Sequence, residues 1–417
     1  MKVLVLDGNE NQAVACVRSL ARAGHPVWVG SSCSWAKAGW SRFCAGSFAY
    51  PDPEEGQEAF VRSVAAEAQR EPGTLVLPMT ERTALPLSAE RERFREVGAR
   101  LVFPPHPAVV RAFDKLETTR LAQSLGITTP QTTLVADSAQ ARQVAETFRF
   151  PAVLKPRTSF EAVPSGRILV TGRPAYARNP EDFVAVYNEL SRRCGEVLAQ
   201  EFVEGTGAGY FALLREGELR AEFAHRRIRD MHPTGSGSSV RVSVSPDPNL
   251  REAGLALLRA LHWHGVAMVE FRVRADGIPV FLEVNGRFWN SLPLAIYAGA
   301  DFPALLASLA GHGDVKQPPA YRTGVRCRWL LGDFVHLLEV WRGAPKRYPG
   351  RFPGRLRTLF DFIVPVPGTY HDNFMLSDPL PELGDWLNFV FRKLPAAWRK
   401  SRSARKEAHA QRGYSHP

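Results

Sequence analysis

The chain has 417 residues and a mass of 46.3 kDa, a length that predicts two or three domains rather than one ordinary core. Its 45% hydrophobic and 23% charged residues are typical of a folded globular protein and exclude a collagen-like or largely disordered one. The net charge of +11 is concentrated in the last quarter, since residues 321–417 hold 17 Lys or Arg against 8 Asp or Glu.

Strand and helix signals alternate through the first hundred residues. The turn after the first strand, Asp7–Asn11, lacks the G-x-G-x-x-G pattern of a dinucleotide-binding turn, which disfavours an NAD-dependent enzyme. The alternation predicts a doubly wound α/β domain with a parallel sheet. The predicted strands are residues 3–6, 26–29, 75–77 and 101–103, and the predicted helices are 11–22 and 54–69.

Cysteines and apolar runs indicate the compartment. The five cysteines show neither a disulfide framework nor metal-ligand spacing, which is typical of a reducing cytoplasm. Residues 1–8 predict a β-strand rather than a secretion signal, and no apolar run reaches the roughly 18 residues of a membrane span. We therefore predict a cytoplasmic protein, peripheral at most to the inner face of the membrane.

Prolines at 104, 105 and 107 mark one boundary, and beyond Gly313 Pro, Arg and aromatic residues dominate. Between these points, helical patterns at 107–113 and 115–125 precede a strand at 152–155. Two hairpins are predicted next, around Glu216-Gly217 and around Asp276-Gly277. The sequence thus predicts three regions: an N-terminal α/β domain at 1–106, a central domain at 107–315 and a basic, aromatic C-terminal region at 316–417.

The hairpin around Asp276-Gly277 carries the most specific pattern. With a two-residue loop, its register places Glu270 directly opposite Glu283, with Asn285 on the same face. Opposed like charges destabilise a sheet unless they are neutralised, and carboxylate and amide oxygens are the ligands that Mg²⁺ prefers. The pattern therefore predicts a divalent-cation site. The other face is predicted to pack on a core through Val269, Phe271, Val273, Val280, Leu282 and Val284.

A surface salt-bridge cluster is the alternative interpretation of this hairpin, with Arg272, Arg274 and Arg287 paired to the two glutamates. Two lysines favour the cation site. Lys155 ends an apolar strand, and Lys115 opens a helix. Together with the hairpin they give the chain order lysine, lysine, glutamate and then Glu-x-Asn-x-Arg.

With this set of residues, the sequence resembles the ATP-grasp superfamily, in particular the branch of biotin carboxylase, the carbamoyl-phosphate synthase large subunit and the carboxylate–amine ligases. The resemblance covers roughly residues 1–310. It implies an N-terminal pre-ATP-grasp α/β domain followed by an ATP-grasp fold of two α+β subdomains, with a basic C-terminal extension. It also implies ATP and Mg²⁺, or Mn²⁺, as cofactors.

The resemblance implies a role for each matching residue. Lys115 and Lys155 would contact the nucleotide phosphates, and Arg287, two residues past the asparagine, would face the reacting anion. The strand whose backbone holds adenine is implied at Gln200, Glu201, Phe202, Val203 and Glu204. The implied metal ligands are Glu270, Glu283 and Asn285.

Two further segments concern the phosphates. The basic strand 225–229 runs into a Gly/Ser loop, and we predict that Arg227 contacts an acyl phosphate. A solvated basic hairpin edge is the alternative for this strand. The loop at 157–166 departs from the family because it has one glycine where a glycine-rich loop usually folds over the triphosphate. Its closure over ATP is therefore left open.

The predicted function is that of an ADP-forming carboxylate–amine ligase, in which ATP activates a carboxylate as an acyl phosphate that an amine then captures. Two alternatives remain: a bicarbonate-activating enzyme of the carboxylase or carbamoyl-phosphate synthase type, and a nucleotide-binding scaffold that docks through its C-terminal region. The predicted partners are small-molecule carboxylate and amine substrates, a second copy in a homodimer, and an anionic membrane surface contacted by the apolar residues 386–394 and the basic tail at 399–406. The alternative for this region is that its aromatic residues cover the core of the main domain and only the tail after Trp398 is solvated. No specific nucleic acid is predicted.

Overall fold

The computed structural model describes residues 1–33, 35–162, 168–170, 174–316 and 320–393. Two predicted features fall outside these ranges, namely residues 163–166 of the glycine-poor loop and the basic tail after residue 393. Within them the chain has a mixed α/β architecture, with a parallel sheet near the N-terminus and two further large sheets. The predicted α/β class and its parallel sheet are confirmed.

Three strands of the N-terminal sheet, β1, β2 and β4, are short, apolar and almost completely buried, as expected for parallel strands covered on both faces, whereas the edge strand β3 is partly exposed. Its strand order is β3-β2-β1-β4, and all pairs are parallel. The predicted strand at 101–103 does not form, since only Arg100 makes an isolated bridge, to Leu75. The strands are β1 Val3–Val5, β2 Val27–Ser31, β3 Gly46–Ala49 and β4 Leu75–Leu77, and the helices are α1 Asn11–Arg22, α2 Gln57–Gln69, α3 Glu81–Ala89 and α4 Arg91–Glu96.

The second sheet has four antiparallel strands in the order β5-β10-β6-β9. A cap fixes the start of one of its helices, because the Asp114 side chain accepts hydrogen bonds from the backbone N–H groups of Leu116 and Glu117. The helices are α5 His106–Phe113, α6 Lys115–Ser124, α7 Ser138–Thr147 and α8 Pro180–Leu190. The strands are β5 Thr132–Val135, β6 Ala152–Pro156, β7 Phe160–Ala162, β8 Ile168–Val170, β9 Ala175–Ala177 and β10 Val197–Glu201, of which β7 and β8 pair only with each other.

The third sheet has seven strands in the order β15-β14-β11-β12-β13-β16-β17. Its first hairpin turns at Glu216-Gly217 as predicted, and both residues have the positive φ of a tight two-residue turn, 51° and 85°. The strands are β11 Thr206–Arg215, β12 Glu218–Arg229, β13 Val240–Val244, β14 Gly265–Val273, β15 Pro279–Asn285, β16 Arg326–Arg328 and β17 Thr369–His371. The remaining helices are α9 Pro248–Ala260, α10 Leu292–Ala298, α11 Phe302–His312, α12 Leu330–Arg342, α13 Arg355–Ile363 and α14 Leu380–Asn388.

The second hairpin corrects one part of the predicted register. Glu270 does lie opposite Glu283, but the turn is longer than two residues, since Val273 pairs with Pro279, and the register shifts by one between Glu270 and Phe271. The shift moves Phe281 into the apolar core, while Leu282, predicted there, lines a cavity instead.

Residues after 316 are built into the same structure. Strands β16 and β17 extend the seven-stranded sheet, and buried ion pairs join the C-terminal part to the N-terminal domain, with 2.8 Å between Arg18 and Asp378 and 2.8 Å between Lys37 and Asp385. Such pairs are costly to break once buried, because each leaves an uncompensated charge. The boundaries at 106 and 315 stay predictions.

No single helix in the described part of the chain combines the length and the apolar content needed to cross a bilayer. Helices α10 and α11 would meet the criterion only as a pair bent by 87°. Both helices contribute buried residues to the main apolar core, including Leu292 and Phe302.

Candidate active site

A cavity of about 520 Å³ opens between the four-stranded antiparallel sheet, which contains β6 and β10, and the seven-stranded sheet. Most of the predicted site residues line it together, although they come from distant parts of the chain. Those lining residues are Lys115, Lys155, Gln200, Glu201, Phe202, Val203, Glu204, Glu270 and Glu283. Three predicted site residues are not among the described residues that line the cavity, namely Arg227, Asn285 and Arg287. Arg227 contacts Glu270 and Asn285 contacts Glu283, both in the lining, whereas Arg287 contacts Asn285.

Aromatic side chains gather at one end of the cavity, beside the predicted adenine-binding strand. Phe202, Tyr176 and Tyr348 meet edge to face, with ring centroids 5.1–6.1 Å apart. Tyr348 comes from the C-terminal region and was not identified from the sequence. The segment that carries it is held by Arg347, whose Nε lies 2.9 Å from Asp182 on α8. The C-terminal region therefore supplies part of the cavity wall.

Two lysines also line the cavity. Lys115 stands at the first residue of α6, where the capped helix start fixes its backbone, and its Nζ donates to Ser159 Oγ at 3.1 Å. Lys155 is the next-to-last residue of β6 and is only 8% exposed. Burial lowers the pKa of Lys155 to about 8, and Lys115 adds to this effect while Glu283 and Glu270 oppose it. Both cations are thus held where polyanionic phosphates would be neutralised.

The carboxylate pair faces these lysines. Asn285 donates through Nδ2 to Glu283 Oε1 at 3.3 Å, so all three predicted ligands form one cluster. Burial raises the pKa of Glu270, with Arg227 opposing and Glu283 adding to the rise. For Glu283, burial is outweighed by Lys115 and Lys155, which lower its pKa.

The donor set fits a hard divalent cation. Two carboxylates held in register and one amide oxygen are oxygen ligands of the kind that Mg²⁺ takes, with water and phosphate oxygens completing its coordination. No group of three His, Cys, Asp or Glu residues suited to a metal occurs within the described ranges. A cation at the hairpin would therefore rely on Glu270, Glu283, Asn285 and the nucleotide.

Arg227 reaches Glu270 across an intervening strand. Its side chain crosses β11 above Gly207, where an added Cβ would lie 2.6 Å from Arg227 Cδ, and its Nη2 lies 2.7 Å from Glu270 Oε2. A glycine is required at this position because any side chain would block the crossing. Arg227 also lies 3.4 Å from Asp230, so it is buried in a charged network and is not at a solvated hairpin edge.

The three arginines of the alternative salt-bridge cluster do not pair with the glutamates within the described residues. Arg272 donates to the backbone carbonyls of Gly205 and Gly235, and Arg274 pairs with Asp276 in the turn at 2.8 Å. The third arginine, Arg287, contacts Asn285 and Glu81.

Arg287 connects the hairpin to the N-terminal domain. Its Nη2 lies 3.2 Å from Asn285 Oδ1 and 3.5 Å from Glu81 Oε1, and its Nη1 donates to the carbonyl of Phe288. Within the described ranges, the buried Arg287 Nε has no hydrogen-bond partner. Glu81, at the first residue of α3, was not identified from the sequence, because nothing in its own helix distinguishes it from a surface glutamate.

Comparisons with known proteins agree with this geometry. Residues 196–332 match the family described as ATP-grasp in the biosynthetic pathway with Ter operon. The D-alanine–D-alanine ligase of Nitrosospira multiformis is 28% identical over 222 residues, covering 49% of this chain and 68% of that protein. The carbamoyl phosphate synthase large chain of Myxococcus xanthus is 25% identical over 279 residues, covering 62% of this chain and 25% of that protein.

A solved structure is similar over a longer part of the chain. The biotin carboxylase domain of Hydrogenobacter thermophilus 2-oxoglutarate carboxylase, solved as a dimer with MgADP, ADP and bicarbonate, matches with a TM-score of 0.60 and 16% identity. The match covers 78% of this chain and 73% of that domain. At this identity the likeness shows the fold alone. The predicted resemblance to the ATP-grasp superfamily is confirmed by the family match and the two sequence relatives.

Proposed function

We propose that this chain is an ATP-dependent ligase of the ATP-grasp type, which activates a carboxylate as an acyl phosphate and couples it to an amine, releasing ADP and phosphate. One observation carries the proposal: the opposed carboxylates Glu270 and Glu283 face Lys115 and Lys155 across a single cavity. Two cations and an anionic metal-ligand pair together suit a metal-bound triphosphate. The relatives named above include a ligase, which supports the same class of reaction.

The nucleotide is proposed to lie along the cavity. Its adenine would bind at residues 200–204, beside the aromatic rings of Tyr176, Phe202 and Tyr348, and its phosphates would contact Lys115 and Lys155. Glu270, Glu283 and Asn285 would hold Mg²⁺, which when bound neutralises charge on the phosphate oxygens. Phosphoryl transfer needs mainly positioning and charge neutralisation, and these residues provide both.

The chemical steps follow from this arrangement. A carboxylate oxygen bonds to the γ-phosphorus, and the bond between that phosphorus and the β-γ bridging oxygen breaks, so ADP leaves. The amine nitrogen then bonds to the acyl carbon, the carbon–oxygen bond to phosphate breaks, and the amine's surplus protons pass to phosphate or water. Arg287, whose Nε has no partner among the described residues, would contact the reacting anion, and Arg227 would act from behind Glu270.

The test is a product-identified screen of the full-length protein with MgATP. Panels of carboxylates and amines are combined, ADP is measured by a coupled assay, and products are identified by mass spectrometry. We expect ADP release that requires both an acid and an amine, with a product of the mass of their amide. ADP release that requires bicarbonate would favour the carboxylase-type alternative. Nucleotide binding without ADP release under any combination would favour the scaffold.

The C-terminal region supports a second proposal about partners: contact with an anionic membrane surface from the cytoplasmic side. Helix α13 exposes Leu356, Phe360 and Ile363, which share one helical face and are 81%, 65% and 64% exposed. Six Lys or Arg and no Asp or Glu lie between residues 340 and 360. An apolar face flanked by basic residues suits an acidic bilayer, where each basic residue contributes about 1 kcal/mol.

Flotation with anionic liposomes tests this contact. We expect the full-length protein to float at low salt, and both the Leu356→Glu/Phe360→Glu double variant and a deletion of residues 396–417 to float less, with ATP turnover unchanged in the deletion variant. Neutral liposomes serve as the control for charge. Absence of flotation at low salt, or equal flotation of all three proteins, would contradict the membrane contact. The proposed partner of the exposed face would then be a second copy of the chain in a homodimer.

A further inference from the structure

A second cavity, of about 370 Å³, lies between the N-terminal domain and the loop that follows β6. It adjoins the first cavity, because Pro156 and Thr158 line both, and because the consecutive residues Asp114 and Lys115 line one cavity each. Its lining comprises Gln57, Glu81, Leu85, Ala89, His106, Val110, Phe113, Asp114, Pro156, Arg157, Thr158, Phe160, Cys194 and Glu196. Its volume is in the range of small-molecule sites.

The walls of this cavity are largely apolar. Leu85 on α3, Val110 and Phe113 on α5, and Phe160 on β7 contribute large apolar side chains from three different elements. Burial lowers the pKa of His106, whose Nδ1 lies 2.7 Å from Ser88 Oγ, so this imidazole adds no positive charge at neutral pH. The cavity thus suits a compact apolar group.

The charges on the lining are predominantly negative. The lining has three carboxylates and one guanidinium, and Arg157 pairs with two of these carboxylates, since its Nε lies 2.8 Å from Asp114 Oδ2 and its Nη1 lies 3.0 Å from Glu196 Oε2. Glu81 contacts Arg287, which does not line this cavity, at 3.5 Å. The remaining carboxylate, Glu81, is buried with 7% of its side chain exposed. A cationic ligand would be favoured here and an anionic one disfavoured.

Glu81 also links this cavity to the reacting groups. Its carboxylate lies 3.5 Å from Arg287, which lies 3.2 Å from Asn285, which in turn lies 3.3 Å from Glu283. Three contacts therefore separate the acidic end of the second cavity from the carboxylate pair of the first. A ligand whose charged end lay beside Glu81 would approach the place where the phosphates meet the metal ligands.

We propose that this second cavity is the amine subsite of the ligase, and that it takes a small primary amine as its ammonium beside Glu81 with a compact apolar group against Leu85, Val110 and Phe113. The inference rests on the proposed function for the role of the amine. The recognition itself, of a cation with an apolar body, depends only on the cavity. The proposal therefore excludes a polar or acidic amine, such as an amino dicarboxylate, as the preferred acceptor, because the lining is largely apolar and carries carboxylates.

A binding measurement without nucleotide tests the subsite separately from turnover. Saturation-transfer NMR on the full-length protein compares isobutylammonium with isobutyrate, which have the same apolar group and opposite charge. We expect transfer to isobutylammonium and several-fold less to isobutyrate. Val110→Trp fills the cavity from a half-exposed helix position and should reduce the ammonium signal at least fivefold. Leu125→Trp, at the equally exposed end of α6 and outside the lining, should leave it unchanged.

Glu81→Gln separates charge from shape and should lower the ammonium signal to the level of isobutyrate. Equal transfer to both probes, or a full ammonium signal in Val110→Trp, would overturn the subsite whatever the ligase screen shows. Conversely, ammonium binding that responds to both substitutions, in a protein that releases no ADP, would retain the subsite and refute the ligase.

Discussion

Glu283→Gln is expected to reduce Mg²⁺-dependent ADP release by about a hundredfold or more while the protein remains folded. The amide retains the shape of the side chain and its place opposite Glu270, but it removes a full negative charge from the proposed metal site. Charge stabilisation by a bound metal amounts to several kcal/mol, and about 1.4 kcal/mol corresponds to a tenfold change in rate. The fold should persist because the apolar face of the hairpin is unaltered.

The measurement is ADP release against Mg²⁺ concentration, with circular dichroism to verify folding. Asp276→Asn is the matched control, since it removes a carboxylate from the turn of the same hairpin, where Asp276 pairs with Arg274 and accepts from the backbone N–H of Ile278. It should leave turnover unchanged. If Glu283→Gln and Asp276→Asn behaved alike, Glu283 would be one charge among others and the metal-site proposal would fail.

The opposition of Glu270 and Glu283 was predictable, although the reasoning behind it contained two errors that cancelled. The turn is longer than the two residues assumed, and a one-residue shift between Glu270 and Phe271 restores the predicted pair. A bulge of this kind depends on the local twist and the partner strand, which a periodicity of two does not encode. Because of this error, Leu282 was predicted in the core, whereas it lines the cavity.

Contacts between distant segments were beyond the sequence pattern. Arg227 and Glu270 were both identified as site residues, but their contact could not be predicted, because it requires β12, β11 and β14 to be neighbours and Gly207 to stand between them. Tyr348 and Glu81 were missed for the same reason. Each is ordinary in its own segment and acquires a role only when separate sheets and helices meet.

The division of the chain illustrates the limits of composition. The abundance of Pro, Arg and aromatic residues after 316 suggested a separate region, yet the same stretch supplies two strands to the seven-stranded sheet and part of the cavity wall. The basic residues there have different environments, since Arg347 pairs with Asp182 while the side chain of Arg357 is largely exposed. Net charge describes the sum of such residues and does not distinguish among them.

Lys155→Ala should weaken ATP binding by about ten- to hundredfold, corresponding to the roughly 1.5–3 kcal/mol of one charge-assisted contact. Lys115→Ala should act in the same direction, with a smaller effect because Lys115 is less buried than Lys155. Both should fold, since neither lysine forms part of an apolar cluster. Lys316→Ala, at an exposed position away from both cavities, is the matched control and should bind ATP as the unmodified protein does.

The lowered pKa of Lys155 predicts that ATP affinity depends on pH, which gives a second test of its role. Because its pKa in the free protein is about 8, Lys155 is charged below that pH and loses its proton above it, whereas bound phosphates would favour the charged form. ATP affinity should therefore be constant below about pH 7 and fall as pH rises through 8, by up to about tenfold per pH unit, with proton uptake on binding. Calorimetric titration in buffers of different ionisation enthalpy measures both quantities. The Lys155→Ala variant should show neither the decline nor the proton uptake, and an equal decline in that variant would assign the pH dependence to another group.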